Sequence, residues 1–161
     1  MSGHQRGFSL IELLIVVAII MIIAAIAIPD FLKSKMAANQ ASAVGSLRVI
    51  NSAEVMYYSN YGKGYSTALQ DLQPPVGGAP TSMTAAALID NVLGSGIKSG
   101  YRFTYSPHSP DPLGNYTGYA IHGDPLTVGT TGEVYYYTDQ SYVIRFNNTQ
   151  PASSTDLALS K

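Results

Sequence analysis

Glu12 is the only charged residue within a long apolar stretch near the start of the chain. From Phe8 to Ile28, only Ser9 and Glu12 are polar. A charge at the centre of a bilayer costs about 3 kcal/mol on insertion scales, and Glu12 lies nearer the edge. Two interpretations stay open: the carboxylate reaches back to the lipid headgroups, or it pairs with a cation on another chain or at a newly made N-terminus.

A cut after Gly7 would create such a cation. The α-amino group would then belong to Phe8, four residues before Glu12. Residues at this spacing share one face of a helix. The new ammonium group could therefore neutralise Glu12, either in the same chain or in a neighbouring copy.

The apolar stretch predicts a membrane-spanning helix. Its residues 8–28 would form a helix of about 31 Å, long enough to cross the hydrocarbon core. His4 and Arg6 precede it and no acid does. We therefore predict that the N-terminus stays cytoplasmic while the rest of the chain crosses. Residues 1–7 are interpreted as a leader that takes no part in the fold.

The motif Gly7-Phe8-Ser9-Leu10-Ile11-Glu12, followed by an apolar run through Ile20, closely resembles the N-terminal signature of type IV pilins and type II secretion pseudopilins. The likeness covers about residues 6–30 and includes Pro29, at the usual kink of that family. It implies cleavage between Gly7 and Phe8, N-methylation of Phe8, and a role for Glu12 in docking subunits into a helical filament.

The resemblance also implies partners and a location. A prepilin peptidase that also methylates would process the chain, and an inner-membrane assembly platform with its ATPase motor would add it to a homo-oligomeric filament. Before assembly the chain would lie in the bacterial inner membrane among lipids, and after assembly in an extracellular pilus that serves adhesion, motility or DNA uptake.

Three alternatives stay open. A pseudopilin of a type II secretion system shares the same processing, so residues 6–30 cannot separate it from a pilin. A membrane-anchored exported binding domain that never polymerises would make Glu12 incidental. A conventional signal peptide would be cut after the apolar core, where Ala24-Ala25-Ile26-Ala27 offers a weak site.

Residues 30–61 predict an amphipathic continuation of the same helix. Gly45 is the only breaker between Asp30 and Tyr61. Apolar residues recur there at spacings of three and four, which predicts one buried face. The members of this stripe are Ala43, Leu47, Ile50, Ala53 or Glu54, Tyr57 and Tyr61. We expect one helix, bent at Pro29, from about Phe8 to Tyr61, ended by Gly62 as a left-handed cap.

Residues 62–161 predict a loop followed by an antiparallel sheet. Thr84 to Leu93 reads as a short helix rich in alanine. Alternating patterns then predict about four strands joined as a meander. These are 101–105, 116–122, 133–137 and 142–146. The fold class is therefore α+β: a pilin fold whose long N-terminal helix packs on the sheet, with domains 1–7, 8–29, 30–61 and 62–161.

The remaining residues give little support for other chemistry. The chain has no cysteine, so it can form neither a disulfide nor a thiolate site, and its net charge of −1 gives no bulk attraction to nucleic acid. Many pilins staple a C-terminal loop with a disulfide, so another device must hold that end here. His108 and His122 are interpreted as surface or interface residues. We expect no enzyme activity.

We expect no cofactor, although major pseudopilins carry calcium in a loop of this region. The resemblance therefore makes a hard-cation site conceivable near the acids between the strands. No regular ligand spacing supports it. These acids are Asp111, Asp124, Glu133 and Asp139.

Twelve tyrosines and no tryptophan stand out in the composition. Clusters occur at 57–65 and 135–137. Aromatic stacking along a filament, or a platform for DNA bases, is one interpretation. We favour the other, in which tyrosine rings fill the interface between helix and sheet.

Overall fold

The computed structural model describes residues 7–160, which form two compact units divided between Lys35 and Met36. His4, Arg6 and most of the predicted leader lie outside the described residues. The predicted domain boundaries after residues 7, 29 and 61 stay predictions.

Helix α1 (Leu10–Tyr61) is continuous through Pro29. The predicted long helix is therefore confirmed, and the proline, which cannot donate to the carbonyl of Ala25, does not end it. Gly62 follows with φ of 62°, and its N–H donates to the Tyr58 carbonyl at 2.9 Å. This is the left-handed end that glycine allows without steric cost.

The second unit is built on one antiparallel sheet in which each strand pairs with the next along the chain. Its strands are β1 (Ile97–Lys98), β2 (Tyr101–Pro110), β3 (Tyr116–Pro125), β4 (Tyr135–Asp139), β5 (Arg145–Asn147) and β6 (Leu157–Ala158). Two 3-10 helices, Leu69–Leu72 and Val76–Gly78, and the short helix α2 (Asn91–Gly94) lie between α1 and the sheet in the sequence. The predicted α+β meander is confirmed.

The core of this unit lies between the C-terminal half of α1 and the sheet. Leu47 and Ile50 of α1 are fully buried in one cluster with Tyr101, Tyr119 and Ile121 of the sheet. The predicted apolar stripe therefore forms the buried helix face. Burying side chains of this size contributes roughly 2 kcal/mol each relative to exposure.

Tyrosine is the main large aromatic of this core. The hydroxyls of Tyr57, Tyr101 and Tyr119 donate to the Met83 carbonyl, the Val134 carbonyl and Asn51 Oδ1 at 2.8, 2.9 and 3.0 Å. Each ring is thus buried without leaving its hydroxyl unpaired. The interpretation of tyrosine as core filling is confirmed for these three residues.

The predicted helix from Thr84 to Leu93 is wrong. Only Asn91–Gly94 is helical, and Asp90 caps it by accepting the Leu93 N–H at 2.7 Å. The preceding residues are held as irregular chain because Ala86 and Leu88 donate to the carbonyls of Asp71 and Leu72. These tertiary hydrogen bonds override the helix propensity of alanine.

The strand bounds also differ from the predicted ones. The first predicted strand extends to Pro110, and the two-residue strands β1 and β6 were not predicted. The fourth begins three residues late because Tyr142 has φ of 61° and its N–H donates to Asp139 in a turn. A residue in that left-handed conformation cannot continue a strand.

The C-terminal end is held by a set of hydrogen bonds that we call the C-terminal clasp. Arg145 Nη1 donates to the Asp156 carbonyl, and Asn147 Nδ2 donates to Asp156 Oδ1, both at 2.8 Å. The Leu159 N–H donates to the Ile144 carbonyl at 2.7 Å. The clasp is the device that replaces a covalent staple in this chain, which has no cysteine.

Candidate processing and assembly segment

The start of α1 gives Glu12 a partner inside the chain. The Ser9 N–H donates to Glu12 Oε2 at 2.9 Å, and α1 begins one residue after Ser9. This is half of a capping box, in which the third helical residue accepts from the backbone that precedes the helix. A carboxylate in the first turn also complements the helix dipole. The contact was not predicted, although the Ser-x-x-Glu spacing is a local signal from which it could have been.

Gly7 and Phe8 precede the helix and are both exposed. A Cβ atom built on Gly7 would meet nothing within 4 Å, so packing in the described structure does not demand glycine there. Phe8 is 81% exposed, which is unusual for an aromatic ring. Both residues are therefore accessible to another molecule.

The first unit carries almost no buried surface. Of residues 7–35, every one is exposed except Ala24, which is partly exposed. A helix that is apolar all round needs lipid or other helices about it. By length and composition this part of α1 could cross a membrane, and none of the 18 residues that meet that test is buried. The structure places Pro29 within this exposed part of α1.

The sequence did not predict that Glu54, an acidic residue of the second unit, would be the centre of a buried hydrogen-bonded cluster. Glu54 is fully buried, and its carboxylate accepts the Ser66 N–H at 3.1 Å and the Ser66 hydroxyl at 2.5 Å. The Tyr105 hydroxyl donates to the Ser66 carbonyl at 3.0 Å. We call these three residues the Glu54 cluster. It ties the segment after α1 to both α1 and β2.

Burial raises the pKa of Glu54 above its ordinary value, although the hydrogen bonds from Ser66 act in the opposite direction. Among residues 7–160 the only ion pair is Lys98 with Asp90, so no cation offsets the buried charge. The sequence alone left open whether Ala53 or Glu54 faced the core. Both are buried.

Comparison with known proteins bears on the first unit. The family described as "Prokaryotic N-terminal methylation motif" matches residues 2–28. The chain is 47% identical over 58 residues to "Type IV major pilin protein PilA" of Myxococcus xanthus, covering 36% of this chain and 26% of the relative. It is 41% identical over 63 residues to "Type IV major pilin protein PilE1" of Neisseria gonorrhoeae, covering 39% of this chain and 38% of that relative.

The chain is thus similar to type IV major pilins, and its N-terminal residues match the methylation motif. The matched segments span between about a quarter and two fifths of the length of these pilins. No solved structure matches the chain. The pilin likeness therefore rests on the N-terminal sequence together with the arrangement of a long helix on an antiparallel sheet.

The acids considered for calcium do not converge in the part of the chain that the structure describes. No group of three or more His, Asp or Glu side chains could hold a metal ion there. Asp111 and Asp139 instead accept backbone N–H groups of their own turns, from Leu113 and Ser141. That this pilin-like chain needs no cofactor stays a prediction.

Neither His108 nor His122 belongs to a group of three or more His, Asp or Glu side chains that could hold a metal ion among residues 7–160. His108 contacts the Ser109 hydroxyl at 3.0 Å, and the ring of His122 meets the Tyr137 ring edge-on at 5.2 Å. The relatives compared above are named as type IV major pilins. The absence of catalysis in this chain stays a prediction.

Proposed function

We propose that this chain is the structural subunit of a type IV pilus, made as a precursor and polymerised into a helical filament. The observation that carries the proposal is the exposed apolar half of α1, which has Glu12 in its first turn and overlaps the methylation motif. An exposed apolar helix is stored in lipid as a monomer and is buried among identical helices after assembly.

Processing would occur between Gly7 and Phe8. A prepilin peptidase needs an accessible peptide bond, and both residues are exposed outside α1. The same enzyme would methylate the new amino group of Phe8. With the N-terminus cytoplasmic, the second unit would lie across the inner membrane until the assembly platform and its ATPase motor add the subunit to the filament.

Glu12 would correct the axial register of a new subunit. Its Oε2 atom accepts the Ser9 N–H, and a carboxylate has about four lone-pair sites in total. The other oxygen is thus available to the Phe8 ammonium of a neighbouring copy. In the water-free centre of a filament, an unpaired carboxylate would be costly, so a misplaced subunit would be rejected. Pro29 would shape the packing of the helices around it.

The second unit would form the filament surface and carry adhesion, motility or DNA uptake. The test is the intact mass of the protein in sheared extracellular filaments and in membranes. The proposal expects a species that starts at N-methyl-Phe8 in the sheared fraction. As a control, Gly7→Leu should accumulate as full-length precursor in membranes only.

Other outcomes assign other functions. The processed species confined to membranes would favour a secretion pseudopilin. An uncut chain, or one that starts after Ala27, would overturn the pilus proposal and leave an exported or anchored domain.

A further inference from the structure

A groove on the second unit lies between α1 and the turn after β4. Two adjoining concavities of about 370 and 250 Å³ share Arg48 and Tyr142 in their walls. Val55 lies on the helix side of these concavities, and Val143 lies on the turn side. We call this the Arg48 groove. Its large apolar walls are open to solvent, with Val55 42%, Tyr142 44% and Val143 36% exposed.

The walls of the Arg48 groove are preorganised. Tyr142 is fixed by its N–H bond to Asp139 and by contact of its hydroxyl with the Tyr65 hydroxyl at 3.0 Å. Arg48 is exposed and is the only charged residue that lines the groove. Arg48 makes no ion pair with any residue of 7–160. Tyrosine and arginine are among the residue types that most often dominate binding at protein interfaces.

The turn between β2 and β3, residues 111–115, forms an exposed knob. Leu113 at its tip is 87% exposed. Asp111 fixes the turn, because its Oδ1 accepts the N–H groups of Leu113 and Asn115, both at 2.8 Å, and its Oδ2 accepts Asn115 Nδ2 at 2.9 Å. The knob is therefore a rigid apolar tip beside a carboxylate. The hydrogen bonds from Asn115 lower the pKa of Asp111, which keeps it charged.

The knob and the Arg48 groove carry opposite charges, and both place exposed apolar side chains beside the charged group. Within one copy the exposure of Leu113 excludes it from the groove. A contact between two copies would use two different surfaces, and such a heterologous contact builds open helical assemblies when the rotation does not close a ring. We propose that the 111–115 knob of one copy docks in the Arg48 groove of a second copy, with Leu113 against Val55 and Val143 and Asp111 toward Arg48. This inference rests on the proposed filament.

Cysteine cross-linking tests the contact directly, because the chain contains no cysteine. Leu113→Cys is combined with Val143→Cys, and sheared filaments are oxidised and run on a non-reducing denaturing gel. A disulfide needs Cα atoms within about 7 Å, so only a true contact gives a ladder of multimers. The matched control combines Val143→Cys with Val76→Cys, since Val76 is 95% exposed but lies in the 3-10 helix Val76–Gly78, outside the knob.

A second measurement covers the case in which the double variant does not assemble. Leu113→Ser should lower the yield of sheared filaments roughly tenfold, as expected for a side chain at the centre of an interface. Val76→Ser should leave the yield unchanged. Both side chains are exposed, so neither change should alter folding.

The outcomes separate the two proposals. The contact is supported if Leu113→Cys combined with Val143→Cys gives a ladder of multimers and the control pair gives none. Filaments without a ladder, together with a normal yield for Leu113→Ser, overturn the contact but leave the pilus intact. If the chain without substitutions forms no filaments, both the proposed contact and the proposed pilus are overturned.

Discussion

Replacing Glu54 by glutamine removes a buried charge while keeping the shape of the side chain. The groups around this carboxylate include no cation: they are Ser66, Asp71 at greater range, and the tyrosines 57, 65, 105 and 119. Burial therefore raises the pKa of Glu54 above its ordinary value of 4.5. Glutamine still offers an oxygen to the Ser66 N–H and an NH₂ group to its hydroxyl.

The sign of the pH dependence follows from the raised pKa. Between 4.5 and the raised value, the folded chain holds the Glu54 proton while the unfolded chain has lost it. The folded state then binds more protons, so the free energy of unfolding falls as pH rises, by at most about 1.4 kcal/mol per pH unit. Below that window this loss is absent, and above it the loss is complete and constant. Glu54→Gln lacks this slope.

Urea unfolding of the full-length chain in detergent, followed by near-ultraviolet circular dichroism of its twelve tyrosines, measures the effect. At pH 4 the variant should lie within about 1 kcal/mol of the parent, as expected for one exchanged hydrogen bond. As pH rises toward 8, the free energy of unfolding of Glu54→Gln should increase relative to that of the parent. Glu133→Gln is the matched control, since Glu133 is exposed.

Glu54→Ala extends the comparison. It leaves the two Ser66 donors buried without their acceptor, at about 1–3 kcal/mol for each. We expect it to be less stable than Glu54→Gln at every pH. Equal stability of Glu54→Gln and the parent across the whole pH range would refute the account of a buried, uncompensated carboxylate.

Three further changes test other parts of the molecule. Gly7→Leu should block cleavage because the peptidase no longer meets a glycine, and an unchanged mature mass would refute the assigned junction. Glu12→Ala should be processed and stored normally but form no filaments, by electron microscopy of sheared fractions; normal filaments would remove the register mechanism. Asn147→Ala should loosen the C-terminal clasp by about 1 kcal/mol, the usual value of one hydrogen bond, measured as faster amide exchange near Asp156. Exchange unchanged there would show that the clasp does not depend on this bond.

The long helix was predictable because its signals are local and repeated. An apolar run, an amphipathic stripe and a terminal glycine all indicate the same element, α1, and one proline cannot outweigh them. The meander was predictable for a similar reason, since short loops join strands of alternating pattern.

Features set by tertiary contacts were not predictable. The alanines at 85–87 favour a helix locally, but hydrogen bonds to residues 71–73 hold that segment in irregular chain. The Glu54 cluster joins residues far apart in sequence, and no local pattern pairs Glu54 with Ser66 or Tyr105. The contact between Ser9 and Glu12 was not predicted either, although it is local and the capping-box spacing is a signal from which it could have been predicted.

The C-terminal clasp has a consequence for how the chain matures. Arg145, Asn147 and Asp156 close the end of the sheet through hydrogen bonds alone, without a covalent bond. No oxidant, disulfide isomerase or redox buffer takes part in that step. Folding of the second unit therefore does not depend on the redox state of its compartment, and reducing conditions cannot break the C-terminal clasp.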